Sequence, residues 1–333
     1  MSLKGDHKGS VTLQSELGWY PSLNLNGYTL FLDGRLLYNT THGATILGKG
    51  SITSNNNTID IGFGGHSKYG FRIDSTIRDN GHKVGLRVSG PGRGAYIEMS
   101  GAEANTFTGD VELSNFVTLR LQKRDGLVSI KGNVFVNSHS QLIFDTSHQL
   151  SRSSVVTLNN GSLYFNSANG VYQRSKQLTV DNSGVLLFGS TQNVNFLNKL
   201  YLDNLLIRSG GELIVRNWKE GRDFIFVKKT SKNLADALKK MKFDGYDPRR
   251  IQLEDYDDEY WEVKGAPEPA TYGAGLMLGV LGLVRYRRRQ KQRSARLTSE
   301  RHFSTTRGAA VSDRFHLIWE LALSLRDKTN SQI

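Results

Sequence analysis

The chain has 333 residues, 35 of them glycine and 5 proline, and it contains no cysteine. Disulfides and thiolate metal sites are therefore excluded, and the fold must hold by packing and hydrogen bonding alone. A net charge of +12 suggests nucleic acid, yet residues 264–333 hold 13 Lys/Arg against 5 Asp/Glu, leaving 30 against 26 in residues 1–263. The body thus lacks the generally basic face that a nucleic-acid partner requires.

The amino end, "MSLKGDHKGS", has no apolar stretch of the length a secretory signal needs. Read alone it predicts a cytoplasmic protein, an expectation that the carboxy-terminal segment reverses below. Abundant Gly, Asn, Ser and Thr predict many short strands joined by turns. In chain order these are "YTLFL" (Tyr28 to Leu32), "TIDIGF" (Thr58 to Phe63), "VGLRV" (Val84 to Val88) and "AYIEM" (Ala95 to Met99). Between the last two, "SGPGRG" (Ser89 to Gly94) lacks the Gly-Lys-Ser/Thr end of a phosphate loop and predicts a tight turn.

A repeat follows. The stretches "NFVTLRL", "SHSQLIF", "NNGSLYF", "NSGVLLF" and "SGGELIV" align on the pairs Leu119/Leu121, Leu142/Phe144, Leu163/Phe165, Leu186/Phe188 and Leu213/Val215. The first four pairs follow one another at nearly even steps, and the last step is somewhat longer. Spacing of i, i+2 puts both members of a pair on one face of a strand. A period in the low twenties predicts one coil of a β-solenoid, with equivalent residues stacked into an inward apolar column. A β-sandwich is the alternative, but it has no reason to repeat at this interval. The fold class is therefore mainly β, a single-stranded β-solenoid over residues 1–221.

"GAEANTFTGDVELSNFVTLRLQK", Gly101 to Lys123, resembles the passenger-associated transport repeat of autotransporter-type β-helices. Asn105, Thr106, Phe107, Thr108, Gly109 and Leu119 match that pattern, while Phe116-Val117 replaces the glycine usual before the last strand. The resemblance spans about one coil, with weaker echoes in the next four, and implies an exported, extended β-helix.

After Gly221 the pattern changes. "RDFIFV" predicts a strand, and "TSKNLADALKKMKF" a helix with Ser231 as N-cap and Leu234, Leu238 and Met241 on one face. Strands near Ile251–Leu253 and Tyr260–Val263 complete a small α/β cap over residues 222–263, which would cover the edges of the last coil. The acidic "EDYDDEYWE" (Glu254 to Glu262) lacks the Gly-assisted turn of a Ca²⁺ loop and predicts a solvated hairpin.

Residues 264–293 join three unlike elements. Pro267, Glu268 and Pro269 precede an apolar run of 15 residues, Ala270 to Val284, and then a basic cluster that includes Arg285, Arg287, Arg288 and Arg289. A free-standing membrane helix needs about 20 apolar residues. Flanking Tyr272 and Tyr286 and snorkelling arginines make up part of the difference. This order resembles the PEP-CTERM sorting domain. The resemblance implies a short membrane helix that parks an exported protein in the inner membrane until an exosortase-type protease releases it to the surface or matrix. Residues 294–333 form a basic tail, in which "DRFHLIWELALSLRD" (Asp313 to Asp327) predicts an amphipathic helix.

No catalytic pattern emerges. The eight histidines show no metal-ligand spacing, no G-x-S-x-G elbow occurs, and Asp110, Asp145 and Asp181 recur out of step with the coil. The expectation is a non-enzymatic surface or matrix protein without cofactor or metal, whose partners are extracellular polysaccharide and the sorting protease. A polysaccharide lyase or hydrolase and an adhesin are the alternatives.

Overall fold

The computed structural model describes residues 1–14, 20–39, 43–63, 70–90, 95–189, 196–247 and 250–266. Among them the chain is almost entirely β, winding into a solenoid of about eight turns. The expected membrane helix, the basic tail and most of the "SGPGRG" turn lie outside the described residues. Among the described residues no helix is long and apolar enough to cross a membrane.

Each turn contributes one strand to each of two long sheets, of 12 and 10 strands; the first turns add a third strand to a sheet of four. Strands of successive turns pair in parallel and in register. In the ten-stranded sheet one inward column reads Phe71, Ile97, Leu119, Leu142, Leu163, Leu186, Val215 and Phe243. A second, two residues on, stacks Phe144, Phe165 and Phe188 with ring centroids 5.3 and 5.1 Å apart. The longer sheet answers with Leu36, Ile61, Val88, Leu113, Val136, Leu158, Val180 and Ile207. Both sets are buried in one continuous core, as period-2 side chains of a closed coil must be.

One expected neighbour is displaced. Leu186 pairs with Val215, whereas Leu213 pairs with Gly184. Because the slip is an even one, Leu213 still faces inward and stays buried. The predicted pairing fails because this coil is long: Leu186 and Val215 are further apart in sequence than any other neighbours in the column.

The four-stranded sheet ends at Thr76–Ile77. Beyond it, buried side chains add to the backbone hydrogen bonds between turns. Asn105 Oδ1 accepts the Ile77 amide at 3.0 Å, and its Nδ2 donates to the Ser129 carbonyl at 2.9 Å. Ser129 Oγ donates to Gln149 Oε1 at 2.5 Å, and the Gln149 amide donates to Gln173 Oε1 at 3.0 Å. Unpaired polar groups here would be costly, so the ladder specifies the stacking order. At another corner Asn115 and Phe116 adopt φ of 59° and 61°. That left-handed geometry is one that residues other than glycine rarely adopt. The Phe116 ring stacks on His139, one turn on, at 5.0 Å.

The stacking runs past the expected boundary at residue 221. Asp223–Lys228 continues the longer sheet, and Met241–Phe243 continues the other. Only Leu234–Leu238 is helical, and Met241 lies in a strand. Ser231 does not cap the helix; its Oγ donates to Asn204 Oδ1 at 2.7 Å. Asn233 occupies the cap position without a side-chain bond. Strands Ile251–Asp255 and Tyr260–Gly265 form an antiparallel hairpin against Asp223–Lys228. The acidic run lies on this hairpin, where Asp257 Oδ1 accepts the amides of Glu259 and Tyr260. Glu254 and Asp255 lie on the hairpin's edge strand, where they discourage pairing with another chain, whereas Glu262 is buried and pairs with Lys264.

Candidate functional site

The residues of the expected sorting signal, Pro267, Glu268, Pro269, Arg285, Arg287, Arg288 and Arg289, lie outside the described residues. Asp110, Asp145 and Asp181 do not come together. Asp110 Oδ1 accepts the Asn133 amide, Asp145 accepts Arg120 through both oxygens at 2.9 and 3.0 Å, and Asp181 pairs with Arg208. Among the described residues no three His, Asp or Glu are grouped to hold a metal ion.

A groove on the outer face of the longer sheet joins charged groups with an exposed ring and is the candidate site. The outward ladder there runs Arg35, Asp60, Arg87, Glu112, Phe135 and Thr157, one residue per turn. Neighbouring strands stand about 4.8 Å apart, so charges of opposite sign follow one another and then give way to a ring. The cavity has a volume of about 530 Å³ and is lined by Asn57, Lys83, Arg87, Asp110, Glu112 and Phe135, among others.

Its floor follows from close backbone approach. A Cβ on Gly109 would lie 2.4 Å from the Gly85 nitrogen, and one on Gly132 would lie 2.1 Å from the Gly109 carbonyl oxygen. Only glycine lets successive turns pass this closely, which clears side chains from the corner beside the ladder. Gly109, the last residue of the "NTFTG" stretch, thus has a steric role. Phe107 of the same stretch points the other way and is fully buried in the core.

Asp79 fixes one wall. Its carboxylate accepts the Val84 amide at 2.8 Å, the Thr108 amide at 3.0 Å and the Thr108 hydroxyl at 2.7 Å. Burial pushes this carboxyl up, but the hydrogen bonds from Thr108 and Val84 outweigh it and hold the group below its ordinary value. The segment carrying His82 and Lys83 is thereby tied to the Gly109 turn.

Arg87 stands 3.4 Å from Asp60 and 3.4 Å from Glu112, and all three side chains are well exposed. Such contacts are weak and easily exchanged. The ladder therefore offers alternating donors and acceptors that a ligand can recruit. Comparisons with family models, curated proteins and solved structures find no match.

Sequence reasoning passed over this groove. Its signal was present: outward positions Asp60, Arg87 and Glu112 recur at close to the coil length, but unevenly enough to hide the ladder.

Proposed function

We propose that this is an exported, non-enzymatic β-solenoid of the cell surface or extracellular matrix that binds polysaccharide. The antiparallel hairpin of Ile251–Asp255 and Tyr260–Gly265 closes the coil, and a short membrane helix parks the chain in the inner membrane until an exosortase-type protease acts at Pro267, Glu268 and Pro269. The observation that carries the binding role is the open groove, with weakly engaged donors and acceptors arrayed along a rigid ladder. Among the described residues, hydrogen bonds of the body run up to Ala266, next to the proposed sorting signal. The Ala266 amide donates to the Arg250 carbonyl at 2.9 Å, and its carbonyl accepts the Asp247 amide at 3.0 Å. Hydrogen bonding of the folded body thus reaches the residue before Pro267.

The test is processing in a host that has an exosortase, with the chain placed behind a signal peptide. The segment beyond Pro269 should be lost and the body found outside the inner membrane. Replacing Arg285, Arg287, Arg288 and Arg289 with Ser should weaken retention, since charged residues resist crossing the bilayer. Glu268→Gln should block processing without altering insertion. Surface protein that keeps Arg287 to Arg293 would mean a permanent anchor and sink the sorting reading.

A carbohydrate-active enzyme is the second reading, favoured by Asp60 and Glu112 flanking Arg87 in one ladder. Release of unsaturated or reducing sugars, abolished by Glu112→Gln, would establish it.

A further inference from the structure

We propose that the groove beside Gly85 and Gly109 is a subsite for a neutral glycan, with Phe135 as its stacking platform. This deepens the binding role proposed above and rests on it.

Three observations converge on that ligand. The first is charge. Lys83 and Arg87 are balanced by Asp110 and Glu112 around the cavity, so the groove attracts neither polyanions nor polycations by long-range forces. A uronate would meet Asp110 and Glu112 directly, and a phosphate backbone would find no surplus of cations. The second is the ring. Phe135 is 36% exposed and points outward from a ladder whose preceding members are charged. Among the described residues it stacks on no other ring, whereas the outward Phe116 is covered by His139. Glu112 precedes it and Thr157 follows it in register. A flat apolar face bordered by a carboxylate and a hydroxyl matches a pyranose, which has an apolar C–H face and a rim of hydroxyls. The third is the backbone. The sheet continues in both directions from this point, so no strand edge is free to pair with an extended peptide. A ligand must be recognised through side chains, as hydroxyls between Arg87, Lys83, Asp110 and Glu112 would be. The cavity volume of about 530 Å³ falls within the range of about 300–1,000 Å³ usual for small-ligand sites.

Titration calorimetry of the full chain tests this, using neutral hexasaccharides (β-1,4-glucan, β-1,3-glucan, β-1,4-xylan and α-mannan) beside the acidic hexamer of galacturonate. At least one neutral hexamer should bind, with affinity unchanged when salt is raised, because no counterions are released. Phe135→Ala should weaken that binding by about tenfold or more, and Phe135→Trp should preserve it. Both variants should keep the parent melting temperature, since the position is on the surface. The subsite is overturned if no neutral hexamer binds, if Phe135→Ala leaves binding intact, or if only galacturonate binds in a salt-sensitive way. Sugar cleavage during the titration would instead bring down the non-catalytic reading, leaving the subsite standing.

Discussion

The side-chain amide of Asn105 donates to the buried carbonyl of Ser129 at 2.9 Å, one turn further along the coil. The same side chain accepts the Ile77 amide from the turn before. Asn105→Ala would leave both backbone groups buried without these partners, at a cost of about 2–4 kcal/mol. Hydrogen exchange should then accelerate first at Ile77, because each turn depends on its immediate neighbours. Unchanged protection at Ile77 would show that water or another group replaces the asparagine.

Leu163 lies between Leu142 and Leu186 in the central column and is almost wholly buried. Leu163→Ala should destabilise by about 2–5 kcal/mol, combining lost transfer energy with a cavity that a stacked coil closes poorly. Denaturant unfolding measures this directly. A loss below about 1 kcal/mol would mean that the column repacks.

The columns were legible because each turn repeats its inward pairs, and parity survives even the slip that sets Leu186 against Val215. Amino-terminal turns were less legible, since their lengths are uneven: Leu23 and its partner Ile46 stand closer in sequence than Phe71 and its partner Ile97. The polar ladder through Ser129, Gln149 and Gln173 was missed because these residues read as ordinary turn residues. Lys123 carried a signal that was overlooked: it shares the parity of Leu119 and Leu121, and so faces inward with them. Phe135 was visible only as an apolar residue at an outward position of "VFVN". The groove needs neighbouring turns to exist, and local pattern does not contain them.

The carboxy-terminal hairpin covers the outer aromatic cluster of Tyr201, Phe226 and Tyr260, where Tyr201 and Phe226 centroids are 4.5 Å apart. A chain ending at Ala266 should keep the hairpin and its stability, because the Ala266 amide and carbonyl bond to Arg250 and Asp247. A chain ending at Tyr246 should lose at least about 3 kcal/mol by uncovering Phe226. It should also associate through the freed edge of Asp223–Lys228. Scanning calorimetry and light scattering distinguish the two chains. Equal stability would show that the hairpin is an ornament on the coil.

Lys123 is fully buried, with Nζ 3.4 and 3.5 Å from the carbonyl oxygens of Asp74 and Ser75. Burial pushes its ammonium down to about 8 from an ordinary 10.5, against the pull of Asp74 and Glu103. Below pH 8 both folded and unfolded chains hold the proton, and the folded state bears the full cost of the buried charge. Between pH 8 and 10.5 the folded chain releases its proton first, so this group's contribution to stability rises with pH. Above that window the cost is gone. Lys123→Met removes the charge and keeps most of the volume, though it also removes the contacts to the two carbonyls. The variant should be more stable than the parent by about 1–3 kcal/mol at pH 7, with the difference shrinking as pH approaches 10.5. Urea unfolding of both proteins across this range isolates Lys123, because the other titrating groups are common to the pair. A difference that stays constant with pH would mean that Lys123 releases its proton at the same pH folded and unfolded, its ammonium being held by the carbonyls as firmly as water holds it in the unfolded chain.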